Sequence, residues 1–195
     1  MNRNYELALP EGYAPAYTVD AKNKKTTVLM NLAAVLITSS IIGAVATVIR
    51  PRGFIENFNP LKWFAVAAAL LVYTVLHELT HGAAYKILTK QKLTFGVSFT
   101  VAFCGVPQIF VYRRAALISL LAPFTVFTLV FGVAVLLLQD AWDKMYALFL
   151  LASHIGGCVG DLYDTFLFVF RFRDPTALVN DTGPKQTIFI KCNKS

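Results

Sequence analysis

Four long apolar runs dominate the chain and restrict it to folds that a lipid bilayer can hold. The first, Thr27 to Ile49, has about 23 residues without a charge, enough at 1.5 Å per residue to cross a hydrocarbon core of about 30 Å. Three more follow at about 61–88, 115–139 and 145–170, with Pro123 expected to kink the third. Only 15% of the 195 residues are charged and 56% are hydrophobic, whereas a soluble domain averages about 25% charged. The expected fold is therefore mainly α, an integral membrane protein of four transmembrane helices. A cleaved signal peptide does not fit, because the first run is too long and follows a tail containing Glu6, Glu11 and Asp20.

Between runs two and three the period changes. Leu93, Phe95, Val97, Phe99, Val101 and Phe103 alternate with smaller or polar residues, which predicts a strand. Gly105-Val106-Pro107 would turn the chain into a second short strand, Gln108 to Tyr112. This gives an interfacial β-hairpin over 93–112, placed at the membrane surface because lipid leaves strand edges unpaired. Residues 1–26 are polar and lack a periodic apolar face, and 172–195 are polar with a turn at Asn180 to Pro184. They are expected to be tails flanking a membrane domain over 27–171. Arg50 to Gly53 stops the first run, Asn57 to Pro60 reads as a turn, and no internal repeat is present.

The net charge of +7 comes from scattered basic residues that form no stripe, so nucleic acid is not an expected partner. Counting lysine and arginine by segment gives fourteen on the side of the termini and the hairpin. The other side holds four: Arg50, Arg52, Lys62 and Lys144. The positive-inside rule then predicts a multi-pass cell-membrane protein with both termini cytosolic. Cys104, Cys158 and Cys192 are an odd number without paired spacing and imply buried thiols.

Late in the second run stands His77-Glu78-Leu79-Thr80-His81-Gly82. Helical residues four apart share a face, so two imidazoles can converge on one divalent metal, with Glu78 beside them as a base. A charged carboxylate at this depth costs roughly 2.5 to 3.5 kcal/mol even on mild insertion scales, which marks the cluster as functional. A catalytic zinc usually takes three protein ligands and leaves one position for water. His77 and His81 supply two. Measured from Lys86 they lie about 7 to 14 Å below the cytosolic surface, and Asp164 and Asp161 on the fourth span lie about 10 to 15 Å below it. Either acid could be the third ligand, and His154 could stand behind the ligands or replace one. In this scheme Glu78 takes the proton of a zinc-bound water and passes it to the leaving amine.

HELTHG, followed by KLTFGVSF, VPQIFVYRR, LISLLAP and GGCVGDLYD, resembles the zincin peptidase family of small bacterial multispan membrane proteins. That family is related in plan to the site-2-type intramembrane zinc metalloproteases. The resemblance implies a Zn2+-dependent peptidase, with Glu78 catalytic and His77, His81 and Asp161 as ligands. Asp161 is not followed by the glycine usual in site-2 proteases, and the proline of their Asn-x-x-Pro is also missing. The leading expectation is a membrane endopeptidase cutting a peptide or membrane-protein substrate at or just within the cytosolic face. The alternatives are a silent scaffold or sensor that retains a metal site, and a small transporter using Glu78, Asp161 and Asp164 as a polar path.

Overall fold

Asn23 opens the first long helix. Its side-chain oxygen accepts from the Lys25 and Thr26 amides at 3.0 and 3.4 Å, so the basic cluster at 22–25 is a capped helix start. A computed structural model describes residues 4–49, 58–97 and 102–192. In chain order they form β1 (Tyr5–Glu6), β2 (Tyr13–Asp20), α1 (Lys24–Ile49), α2 (Pro60–Thr89), β3 (Thr94–Val97), β4 (Ala102–Gly105) and β5 (Phe110–Tyr112). There follow α3 (Arg113–Leu137), α4 (Ala141–Gly157), α5 (Val159–Phe166), a π-helical turn (Leu167–Arg171), β6 (Leu178–Asp181) and β7 (Lys185–Lys191). Pro60 begins α2 at the position where its missing N–H costs nothing, and Asn59 caps Lys62 at 3.1 Å. Asp140 caps α4 by accepting from Trp142 and Asp143.

Helices α1, α2 and α3 are long and apolar enough to cross a membrane, and α4 with α5 makes a fourth candidate if the interrupted pair is one span. Their outer residues, among them Leu32, Val35, Leu71, Val72, Leu129 and Val133, are exposed, a distribution suited to lipid. Pro123 lies inside α3, which continues through it. The fourth run is interrupted: the helix stops at Cys158, whose amide returns to the His154 carbonyl at 3.0 Å, and a new helix starts at Val159.

The alternating stretch from Leu93 is not one strand. β3 and β4 pair antiparallel with each other, Thr94 opposite Gly105 and Val97 opposite Ala102, because period two persists on both sides of a reversal. Ser98, Phe99, Thr100 and Val101 lie outside the described residues, as do 50–57, where the stop and part of the first turn were expected. The expected partner, 108–112, pairs elsewhere. β5 lies between β1 and β6 in a five-stranded antiparallel sheet ordered β1-β5-β6-β7-β2.

The polar ends are therefore not tails. β2 pairs with β7 over Tyr13 opposite Lys191 to Asp20 opposite Lys185, with a shift between Pro15 and Tyr17. Pro15 is tolerated because β2 is an edge strand. The expected turn near 180–184 is present: Thr182 donates to the Lys185 carbonyl at 3.0 Å, and Gly183 takes a φ of 94° that favours glycine.

The chain divides into two units. One comprises 1–29, 76–123 and 161–195, and the other 30–75 and 124–160. The first gathers the sheet, the β3–β4 ribbon, the starts of α1 and α3, the end of α2, and α5. Its core contains Val106, Ile109, Val111, Leu120, Phe168 and Val179. The described residues of the second are mainly helical, and no strand occurs among them. Thr38 donates to the Ala152 carbonyl at 3.2 Å, and Gly156 brings α4 against Ala34 and Thr38 of α1.

Candidate metal centre

His77 and His81 are buried on one face of α2, 8% and 7% exposed. The residues between them are accounted for by the helix: Thr80 returns its hydroxyl to the Leu76 carbonyl at 2.8 Å. Gly82 makes room for the ribbon, since a Cβ there would meet the Phe95 ring at 2.7 Å and Leu93 at 3.2 Å. The glycine of the motif is what lets β3 lie against the helix that carries it.

Asp161, in the first turn of α5, completes the cluster within the same unit. Its Oδ2 lies 3.2 Å from His77 Nε2, its Oδ1 lies 3.3 Å from His81 Nε2, and the two Nε2 atoms are 3.2 Å apart. A tetrahedral ion bound at about 2.0–2.2 Å spaces its ligand atoms by about 3.3–3.6 Å. The separations are close to these, with each histidine facing a different oxygen of Asp161, and the three side chains form a group that could hold a metal ion.

The hydrogen bonding of His81 strengthens the fit. Its Nδ1 lies 2.8 Å from the backbone carbonyl of Ser119 on α3. A carbonyl can only accept, so Nδ1 carries a proton and Nε2 is the atom turned toward His77 and Asp161. Two imidazole nitrogens and a carboxylate brought this close suit a shared cation. Two imidazoles and one carboxylate are a zinc donor set that leaves an open position.

Glu78 is half-buried beside the two histidines, and its carboxylate takes a backbone hydrogen bond from Cys104 on β4. The ribbon therefore reaches the motif at two points, Gly82 and Glu78. Burial pushes the Cys104 thiol up to about 12, with the charges of Asp181 and Glu78 adding to it, so its sulfur stays protonated and inert.

Asp164 is buried, and its Oδ1 has no hydrogen-bond partner among the described residues. It is not one of the three groups facing one another; Asp161 is. His154 belongs to the other unit, where it is fully buried. There its Nδ1 lies 2.7 Å from the Tyr73 hydroxyl, and its Nε2 lies 3.1 Å from the Thr128 hydroxyl and 3.3 Å from the Phe124 carbonyl. Tyr73, Phe124, Phe127 and Phe131 enclose the ring.

Two features of the unit that holds His77 and His81 escape the sequence reading. One is the Ser119 carbonyl, a backbone atom. The other is a buried pair in which Tyr85 donates to Asp181 Oδ2 at 2.7 Å while Asp181 Oδ1 accepts from the Gly183 amide at 2.8 Å, tying α2 to the β6–β7 turn. Gly105 permits that approach, because a Cβ there would strike the Gly183 amide and the Asp181 carbonyl.

No curated protein and no solved structure matches the chain. A family model does, over residues 70–174, which include both histidines, the glutamate, the Ser119 carbonyl and Asp161. That match spans more than half of the chain, which therefore belongs to the family described as "putative zincin peptidase".

Proposed function

We propose that the protein is a membrane-embedded, zinc-dependent endopeptidase that hydrolyses a peptide bond at or just within the cytosolic face of the cell membrane, with both termini cytosolic. The observation that carries this reading is the convergence of His77, His81 and Asp161 at 3.2–3.3 Å beside Glu78. Family membership supports a zinc metallopeptidase, and the three or four apolar helices support a membrane setting.

Zinc held by these ligands would polarise a scissile carbonyl and lower the pKa of a bound water to about 7. The chain's own groups do the rest. Glu78 accepts the proton of the attacking water and delivers it to the leaving amine. The Cys104 amide fixes the direction of that carboxylate, and the Ser119 carbonyl fixes the ring of His81. A peptide bond inside a helix is shielded by its own hydrogen bonding, so the substrate must be held extended. The β3–β4 ribbon, which among the described residues pairs only within itself, offers an edge for strand addition. Val97→Pro, which removes a backbone donor from this ribbon, should slow cleavage; unchanged cleavage would end the ribbon's part.

Metal content and proteolysis together test the assignment. Glu78→Gln should keep zinc and lose about 10²- to 10⁴-fold in cleavage of an unstructured fluorogenic peptide. His77→Ala should lose both. Wild-type protein that takes up no zinc would refute the peptidase reading and leave a metal-independent transporter or scaffold.

A further inference from the structure

The carbonyl that holds His81 is available because of the residue one turn further along α3. In an α-helix the carbonyl of residue 119 accepts from the amide of residue 123. Here residue 123 is proline, inside the helix, and proline has no N–H to give. Ser119 and Pro123 are both fully buried, so water does not reach the carbonyl. A buried carbonyl without a donor is costly, and His81 Nδ1 at 2.8 Å supplies one. The Ser119 hydroxyl takes no part: among the described residues its Oγ has no hydrogen-bond partner.

We infer that Pro123 is a positioning residue of the metal centre, which frees the Ser119 carbonyl so that it holds His81 as the Nδ1–H tautomer with Nε2 directed at the ion. The inference rests on the zinc-peptidase reading and assigns a role to a residue that touches neither metal nor substrate. A proline in a helix interior is a cost to folding, and here its missing hydrogen bond is replaced by one that orients a ligand.

In Pro123→Ala the restored amide competes for the Ser119 carbonyl. Zinc affinity, measured with the metal alone against a chromophoric chelator, should fall about 10- to 100-fold, the range for groups that orient metal ligands. The variant should be at least as heat-stable as wild type, since alanine is the better helix former. In metal-free protein at a pH where imidazole is neutral, 15N spectra should show His81 as Nδ1–H in wild type and as a tautomer mixture in the variant. An Nε2–H tautomer in wild type, or unchanged affinity and tautomer in Pro123→Ala, would overturn the inference. If wild type binds no zinc, the peptidase reading fails, while the tautomer comparison still decides what Pro123 does to His81.

Discussion

The two units bury histidine in opposite ways. In the helical unit His154 is enclosed by four aromatic rings, and both of its nitrogens face a hydroxyl or a carbonyl. In the other unit His77 and His81 turn Nε2 atoms toward each other and toward a carboxylate, at distances that suit a shared cation. A buried imidazole by itself therefore says little about function. What distinguishes the candidate metal centre is that both histidines direct a nitrogen at one carboxylate, whereas His154 faces hydroxyls and a carbonyl.

The sharpest way to break this comparison is to remove one acid at a time. Asp161→Ala deletes a proposed ligand and should weaken zinc binding by more than the about 100-fold upper range for outer-sphere partners. Asp164→Ala leaves the three facing groups intact and should weaken it by less. Equal losses in a chelator competition would show that the cluster's geometry does not identify the ligand.

The next largest effect concerns pH. Burial pushes the Asp181 carboxyl up to about 6 against its ordinary 3.8, although the Tyr85 hydroxyl and the Gly183 amide both favour the charged form. The folded chain thus holds this proton more tightly than the unfolded chain. Stability on this account is highest below about pH 4, falls as pH rises to about 6, and is level above, a change of about 3 kcal/mol. Asp181→Asn should flatten that part of the unfolding profile. A profile identical to wild type would remove Asp181 from the account.

Gly156→Ala probes the helical unit alone. A Cβ at this position would strike Thr38 Oγ1 and approach the Ala34 carbonyl to 2.7 Å, and backbone does not yield as a flexible side chain does. Overpacking of this kind costs about 1–3 kcal/mol, read as a lower unfolding temperature in detergent. An unshifted transition would mean that the α1–α4 contact adds nothing to stability.

How much of this was readable follows from the range of each interaction. α1, α2 and α3 were legible because apolar composition and helix length are local properties. So was the spacing of His77, Glu78 and His81, and the depth estimate brought Asp161 to the same slab without separating it from Asp164. The sheet was hidden because Tyr13 pairs with Lys191 across nearly the whole chain and Pro15 masks the alternation of β2. The stretch from Leu93 misled because a reversal preserves period two. The break at Cys158 lacks a proline to announce it. Pro123 carried a readable signal, since a proline in a helix interior frees the carbonyl four residues earlier; what could not be read was that His81 would be its donor.

The smallest expected effect asks whether the sheet supports the centre or only lies beside it. Tyr17 on β2 and Tyr163 on α5 share a hydrogen bond of 2.9 Å, and Tyr163 follows Asp161 by two residues. Tyr17→Phe removes that bond but keeps the ring against Phe172 and the Arg171 guanidinium over its face. A neutral, partly exposed hydrogen bond contributes about 1 kcal/mol, so the unfolding temperature should drop by a few degrees at most. Zinc affinity should stay at the wild-type value, because the core residues Leu167 and Phe168 hold the helical segment after α5 in place independently of the tyrosines. A fall in zinc affinity with little loss of stability would instead make the sheet part of what orients Asp161. The two histidine environments would then differ in how far their support extends as well as in their complementarity.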